Sequence, residues 1–230
     1  MCGRFSLTSS TEALQSLFGF SERPNLAPRY NIAPTTNISA IRLEEGEDGH
    51  KSHHFFAHWG LIPSWAKSSE FSARMINARS ETVAEKPAFR AAYKSRRCLI
   101  PANSFFEWQK TGKSAKQPWL IGITDMPLFA FAGLWESWIS PDRETINSCT
   151  ILTTTAAKSI EFIHPRMPVI LDTSDHDTWL NGKGGEDLLK QFAADRMKFY
   201  EVSNRVGNVR NDDEDLIEPT ENTGTQGQLF

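Results

Sequence analysis

CLIPANSFFEW, residues Cys98 to Trp108, decides the fold, because it is rich in aromatic and branched apolar side chains over a strand length. Trp119 to Ile123, Leu128 to Trp138 and Cys149 to Thr155 have the same character. Most of the core is therefore expected to be sheet. Lys110 to Lys116, with Thr111-Gly112, marks the turn between the first two of these strands. Upstream, Asn37 to Leu43 and Ser52 to Gly60 read as a hairpin across the acidic, glycine-bearing turn Glu44 to Gly49. Pro24, Pro28 and Pro34 make Glu22 to Thr36 irregular, since each proline removes a donor and restricts its predecessor. Helical patterns are short. Thr11 to Phe18 has Ser9, Ser10 or Thr11 as an N-cap and Gly19 as its stop, and Ala84 to Tyr93, Ser174 to Leu180 and Glu186 to Ala193 follow. They are scattered among strands instead of alternating with them, which predicts an α+β fold and not a wound parallel sheet.

With 230 residues, 39% hydrophobic and 23% charged, the composition is that of a globular chain, and no Gly/Ser- or Pro-rich linker divides it. One domain with a loose tail is expected. Apolar runs such as Leu128 to Leu134 fall far short of the roughly 20 residues that cross a bilayer, and MCGRFSLTSS at the start has no signal-like apolar stretch. A cytosolic protein with no membrane partner follows. Cys2, Cys98 and Cys149 form no CxxC pair and read as reduced thiols, the latter two as small core residues. His50, His53, His54 and His58 lie on a strand pattern that sends His53 and His54 to opposite faces, so no metal site is expected there.

The net charge of −3 conceals a basic body. Residues 1–120 carry 16 Lys and Arg against 10 Asp and Glu, whereas Asp212, Asp213, Glu214, Asp215, Glu218 and Glu221 close the chain without a cation. Arg74 to Arg97 alone holds seven cations beside Glu81 and Glu85. That density suits phosphate contacts, although a solvated helix face reads the same way.

Cys2 is the sharpest single residue. Removing Met1 would leave a free α-amine and a thiol on one residue, a 1,2-aminothiol. An α-amine of pKa about 7.7 to 8.0 is about one-seventh neutral at pH 7, far more than a lysine. Condensed with an aldehyde it forms an imine, on which the neighbouring sulfur closes a five-membered thiazolidine that resists hydrolysis. A small buried residue after the start codon is the alternative.

MCGRF at the start, RYNIAP at Arg29 to Pro34 and INARSET at Ile76 to Thr82 resemble the SRAP family, which senses abasic sites in DNA. CLIPANSFFEW, FAGLWESW at Phe131 to Trp138, IHPRMPVIL from Ile163 and VGNVRN at Val206 to Asn211 extend the resemblance from Met1 to about Pro219. It implies a single domain over residues 1–219 with a predominantly antiparallel, open barrel-like sheet core and short flanking helices. Residues 220–230 are left as a flexible polar tail. It also implies that Cys2, freed of Met1, attaches reversibly to the ring-opened aldehyde of abasic sites in single-stranded DNA and shields them, with no cofactor. Replication-fork proteins are further partners on this reading. The protein would act as a monomer, at the nucleoid of a bacterium or in a eukaryotic nucleus.

Carried over residue by residue, the resemblance implies roles for Glu107, His164 and Asn77. Glu107 matches the active-site glutamate, and strand alternation points it to the same face as Phe105; flanking Phe106 and Trp108 are expected to desolvate it and raise its pKa. His164 matches a histidine able to give a proton to the sugar oxygen or retrieve it. Asn77, of the NAR motif, matches an amide that donates near the reacting centre. Arg4, Arg79 and Arg166 match arginines that grip phosphates, and Thr153, Pro34 and Trp65 lie where the family meets or shapes the DNA. Read singly, each has a structural alternative: a strand-end ion pair, a core histidine, a turn asparagine, surface ion pairs, a core tryptophan. Ala66 replaces a second tryptophan of some relatives, and a longer Lys67 to Ala73 segment follows, which alters how the strand is wedged. The competing readings are an N-terminal-nucleophile cysteine amidase or protease, autoproteolysis included, and a noncovalent single-strand binder.

Overall fold

The computed structural model describes residues 2–46, 49–112, 116–182, 184 and 186–220. In chain order the first half contains β1 (Phe5–Leu7), α1 (Thr11–Phe18), β2 (Arg29–Ile32), β3 (Asn37–Gly46), β4 (Gly49–Trp59), β5 (Asn77–Arg79) and α2 (Arg90–Ser95). The second half contains β6 (Arg97–Ala102), β7 (Ser104–Lys110), β8 (Lys116–Ile123), β9 (Phe129–Ile139), β10 (Thr145–Thr155), β11 (Arg166–Pro168), β12 (Ile170–Leu171), α3 (His176–Leu180) and β13 (Met197–Glu201). The class is α+β, as the scatter of short helices predicts.

Five strands close on themselves in the order β10-β4-β3-β6-β9, because β9 pairs with both β6 and β10. The barrel-like core implied by the resemblance is present, and its ring is complete. Only β10–β4 is parallel in that ring. Side chains fill so small a barrel. A Cβ built at Gly133 in β9 would lie 2.8 Å from Ile100 Cδ1 and 2.9 Å from Cys98 Sγ, so this position needs glycine to let β6 approach. A second sheet runs β13-β8-β7-β1-β2. Phe5 joins the two bodies edge-on to Trp59 (5.2 Å between ring centroids) and to Phe131 (5.7 Å).

Cys98 to Trp108, read as one strand, is two. The chain leaves the barrel at Ala102 and enters the second sheet at Ser104. Asn103 makes the corner: its Oδ1 accepts the backbone N–H groups of Thr8 (2.7 Å) and Ser9 (3.1 Å), and its Nδ2 donates to Ser9 Oγ (2.8 Å). Donors that would otherwise be lost where the ladder breaks are thereby satisfied.

α1 begins and ends as the sequence predicts, with Ser10 Oγ accepting the Ala13 N–H and Gly19 at φ 72° as its left-handed cap. Ala84 to Tyr93 is helical only from Arg90, since Pro87 restricts Lys86. Glu186 to Ala193 keeps one 3-10 turn, Glu186–Leu188, and Ser174 to Leu180 divides into a 3-10 turn and α3. The irregular Glu22 to Thr36 contains β2, which Pro28 and Pro34 bracket and which pairs with β1. The turns at Glu44 to Gly49 and Lys110 to Lys116 lie partly outside the described residues, and most of the 220–230 tail lies there too.

The acidic end is part of the fold up to residue 220. Val202, Val206 and Leu216 cover Phe106 and Leu120 on the outer face of the second sheet. Asp212 Oδ1 accepts the N–H groups of Tyr30 (2.5 Å) and Asn31 (2.9 Å), holding the segment against β2.

Candidate active site

Four elements meet where the chain begins. Cys2 leads into β1, and its carbonyl oxygen accepts a 2.7 Å hydrogen bond from Asn77 Nδ2 on β5. β5 is held there because it pairs in parallel with β10, Ile151 opposite Asn77 and Thr153 opposite Arg79. The oxygen of that amide, Asn77 Oδ1, is buried and has no partner among the described residues.

Glu107 stands on β7, on the face shared with Phe105, and only 4% of it is exposed. Burial raises its pKa to about 7, against a hydrogen bond from the Trp108 N–H that favours the carboxylate. The expected flanking pair is not what dries it: Phe106 and Trp108 belong to the opposite face and pack with Val202 and Val206. His164 Nδ1 lies 4.0 Å from Glu107 Oε1 and 3.0 Å from the Arg166 backbone N–H. Nδ1 also lies 3.1 Å from the Arg166 carbonyl oxygen, so the Arg166 backbone holds the ring through that nitrogen in either neutral tautomer. Burial holds His164 below the usual histidine value, so the imidazole is neutral at neutral pH.

Cys2 itself is fully buried, and burial, with the Glu107 charge second, pushes its thiol well above the ordinary range. A protonated thiol beside a carboxyl group near neutrality, a neutral imidazole and an amide with a spare acceptor form a set built for moving protons. It does not favour a standing thiolate.

The raised Glu107 pKa has a consequence for stability. The folded state binds this proton more tightly than the unfolded chain, so stability falls as pH rises from about 4.5 to about 7. Glu107→Gln is expected to unfold later than the parent above pH 7, by on the order of 1–3 kcal/mol, with the gap closing towards pH 4.5. Denaturant melts across that range check it; a gap independent of pH would contradict the assignment.

The arginines are placed differently from one another. Arg79 is exposed at the end of β5. Arg4 is 9% exposed; its Nη1 donates to Asn31 Oδ1 (2.7 Å) and Val206 O (2.8 Å), and its guanidinium sits 5.7 Å from the Trp108 ring centroid. Arg4 thus ties the N-terminus to the VGNVRN segment. Arg166 is forked onto Glu81, through Nη1 and through Nη2 to Oε2 at 3.0 Å, and Nη2 also donates to Thr153 O at 2.6 Å. Thr153 is fully buried, and its carbonyl and hydroxyl oxygens orient Arg166. The burial follows from its place in β10, enclosed by β5 and β11. Glu81 was given no role by sequence reasoning, since its partner is 85 residues away.

Pro34 is half-buried ahead of Thr35, which is strained at φ 63°. Trp65 is 67% exposed, at the rim of an apolar cleft of about 250 Å³ that includes Leu61, Ile62, Phe71 and Met75. The histidines divide among separate partners: His53 with Glu22 (2.7 Å), His54 with Ser39 (3.1 Å), His58 with Ser72 (3.3 Å). No group of three His, Cys, Asp or Glu suited to a metal occurs among the described residues.

A family model described as SOS response associated peptidase (SRAP) matches residues 1–209. Abasic site processing protein YoqW of Bacillus subtilis (strain 168) is 41% identical, covering 95% of this chain and 99% of that protein. Abasic site processing protein HMCES of Pongo abelii is 30% identical over 96% of this chain and 77% of its own length. Among solved structures, a protein from Bacteroides thetaiotaomicron superposes with a TM-score of 0.82 at 25% identity, covering 95% of this chain and all of that one.

Proposed function

The chain belongs to the SOS response associated peptidase (SRAP) family, and from that premise we propose that it processes abasic sites by covalent capture of single-stranded DNA through Cys2. The observation that carries the reading is the convergence of Asn77 on the Cys2 carbonyl, with Glu107 close enough to bear on the thiol and His164 4.0 Å from Glu107. Met1 lies outside the described residues; its removal generates the α-amine on Cys2.

Each proton then has a carrier. The sugar of an abasic site must open before it presents an aldehyde, and the His164 imidazole relays the proton that the C1 hydroxyl loses to the ring oxygen, ending neutral as it began. Glu107, near its midpoint at pH 7, takes a proton from the Cys2 ammonium and returns it to the carbinolamine hydroxyl, which leaves as water. The imine nitrogen takes up the S–H proton as the sulfur bonds to the imine carbon. Aldehyde and aminothiol become thiazolidine and one water. The spare acceptor at Asn77 Oδ1 suits the new amine. Reversal runs the same steps backwards. Exposed Arg79 meets backbone phosphate, while Arg4 and Arg166 hold the site's walls. Trp65 and Pro34 guide the strand towards it. A raised thiol pKa weighs against the amidase reading, which needs a thiolate as its first nucleophile.

The test is incubation with an oligonucleotide carrying one abasic aldehyde. A denaturant-resistant adduct of protein plus oligonucleotide minus one water is expected, and none with intact DNA of the same sequence. Capture should slow between low and physiological salt as phosphate contacts weaken. Absence of the adduct, with a protein whose mass proves that it starts at Cys2, refutes the reading.

A further inference from the structure

Beside the Cys2 cluster lies an aromatic group with no part in the chemistry above. Glu107 is paired directly with Trp119 across β7 and β8, and Trp119 with Glu201 across β8 and β13. Directly opposed residues share a face of the sheet, with Cβ atoms about 5 Å apart, so Trp119 stands next to the Glu107 carboxyl group. Its ring meets Phe162 edge-on at 5.3 Å and Phe199 at 6.0 Å, and Phe162 and Phe199 are 5.8 Å apart. The Trp119 Nε1–H donates to Gln109 Oε1 (3.1 Å), which fixes the indole plane. Phe162 is 47% exposed, two residues before His164, on a turn whose neighbours Ile160 and Ile163 are buried.

We propose that Phe162 and Trp119 form a stacking platform for the nucleobase adjoining the lesion. The inference rests on the single-stranded DNA reading and deepens it. A partly exposed phenyl ring anchored on an oriented indole offers a flat apolar face, which every base can cover. The row that carries Trp119 ends outward in Glu201, whose carboxylate repels phosphate and leaves the uncharged base as the part of DNA that fits. A base seated there would place the sugar next to it against Glu107 and His164, so the platform sets which sugar along the strand reaches Cys2.

The probe is an oligonucleotide with an unreactive tetrahydrofuran in place of the abasic sugar and 2-aminopurine immediately 5′ or immediately 3′ of it. Bound to the parent protein, one of the two placements is expected to lose most of its fluorescence by stacking. Phe162→Ala should restore it at equal occupancy, and Phe162→Trp should not. With the reactive aldehyde, replacing the stacked base by a second tetrahydrofuran should slow capture by the parent about 5- to 150-fold, the worth of one base–aromatic stack. Phe162→Ala should show no such dependence. No quenching from either side, or quenching that Phe162→Ala leaves intact, overturns the platform. Quenching without any adduct would refute covalent capture and keep the platform; adducts indifferent to the neighbouring base would do the reverse.

Discussion

Cys2→Ala is expected to yield no denaturant-resistant adduct under conditions that convert the parent completely, while noncovalent affinity for the same strand stays within about threefold. The variant keeps an α-amine at position 2, so the imine still forms; what it lacks is the sulfur that closes the ring. Borohydride should therefore rescue a covalent product by reducing the imine, in the variant as in the parent. That combination separates ring closure from both rivals. A noncovalent binder would give no product with or without reductant, and an amidase would need the thiol but not the aldehyde. An equal yield of stable adduct from Cys2→Ala without reductant would end the aminothiol account.

The second large effect belongs to Glu107. Glu107→Gln preserves shape and removes the exchangeable proton, and a positioned acid–base group is worth about 10²–10⁴ in rate. A loss of that size in single-turnover capture is expected, with little change in binding. The pH profile is the sharper readout. Neutral amine increases with pH through about 7.7 to 8.0, whereas protonated Glu107 is lost above about 7. The parent should pass through a maximum between these effects. In Glu107→Gln the descending limb should vanish and leave only the rise. His164→Ala should impair ring opening and reversal, and a variant whose affinity falls as much as its rate would mark the histidine as a DNA contact only.

Much of this is legible in the sequence, but for different reasons in different places. Strand alternation alone put Glu107 and Phe105 on one face, and Ser10 and Gly19 bounded α1 through capping chemistry that is local by nature. Cys2, Asn77 and His164 were singled out by motif and position, and the hydrogen bond from Asn77 to the Cys2 carbonyl shows that two of these distant motifs meet. What stayed hidden depends on long-range partners. The break at Asn103 was invisible because apolar residues continue on both sides of it, and only its bonds to Thr8 and Ser9 reveal a corner. Arg4 and Arg166 look like any surface arginines until Asn31, Val206 and Glu81 arrive from elsewhere in the chain. Trp119 escaped notice since its place opposite Glu107 depends on a register set by the turn between β7 and β8.

The protonated state of Cys2 bears on how long the residue survives. Peroxide and alkylating agents consume thiolates, so a sulfur kept in its S–H form by burial is spared while it waits. On the capture reading proposed above, Cys2 must outlast the oxidants that accompany DNA damage, and its dry surroundings give it that shelf life.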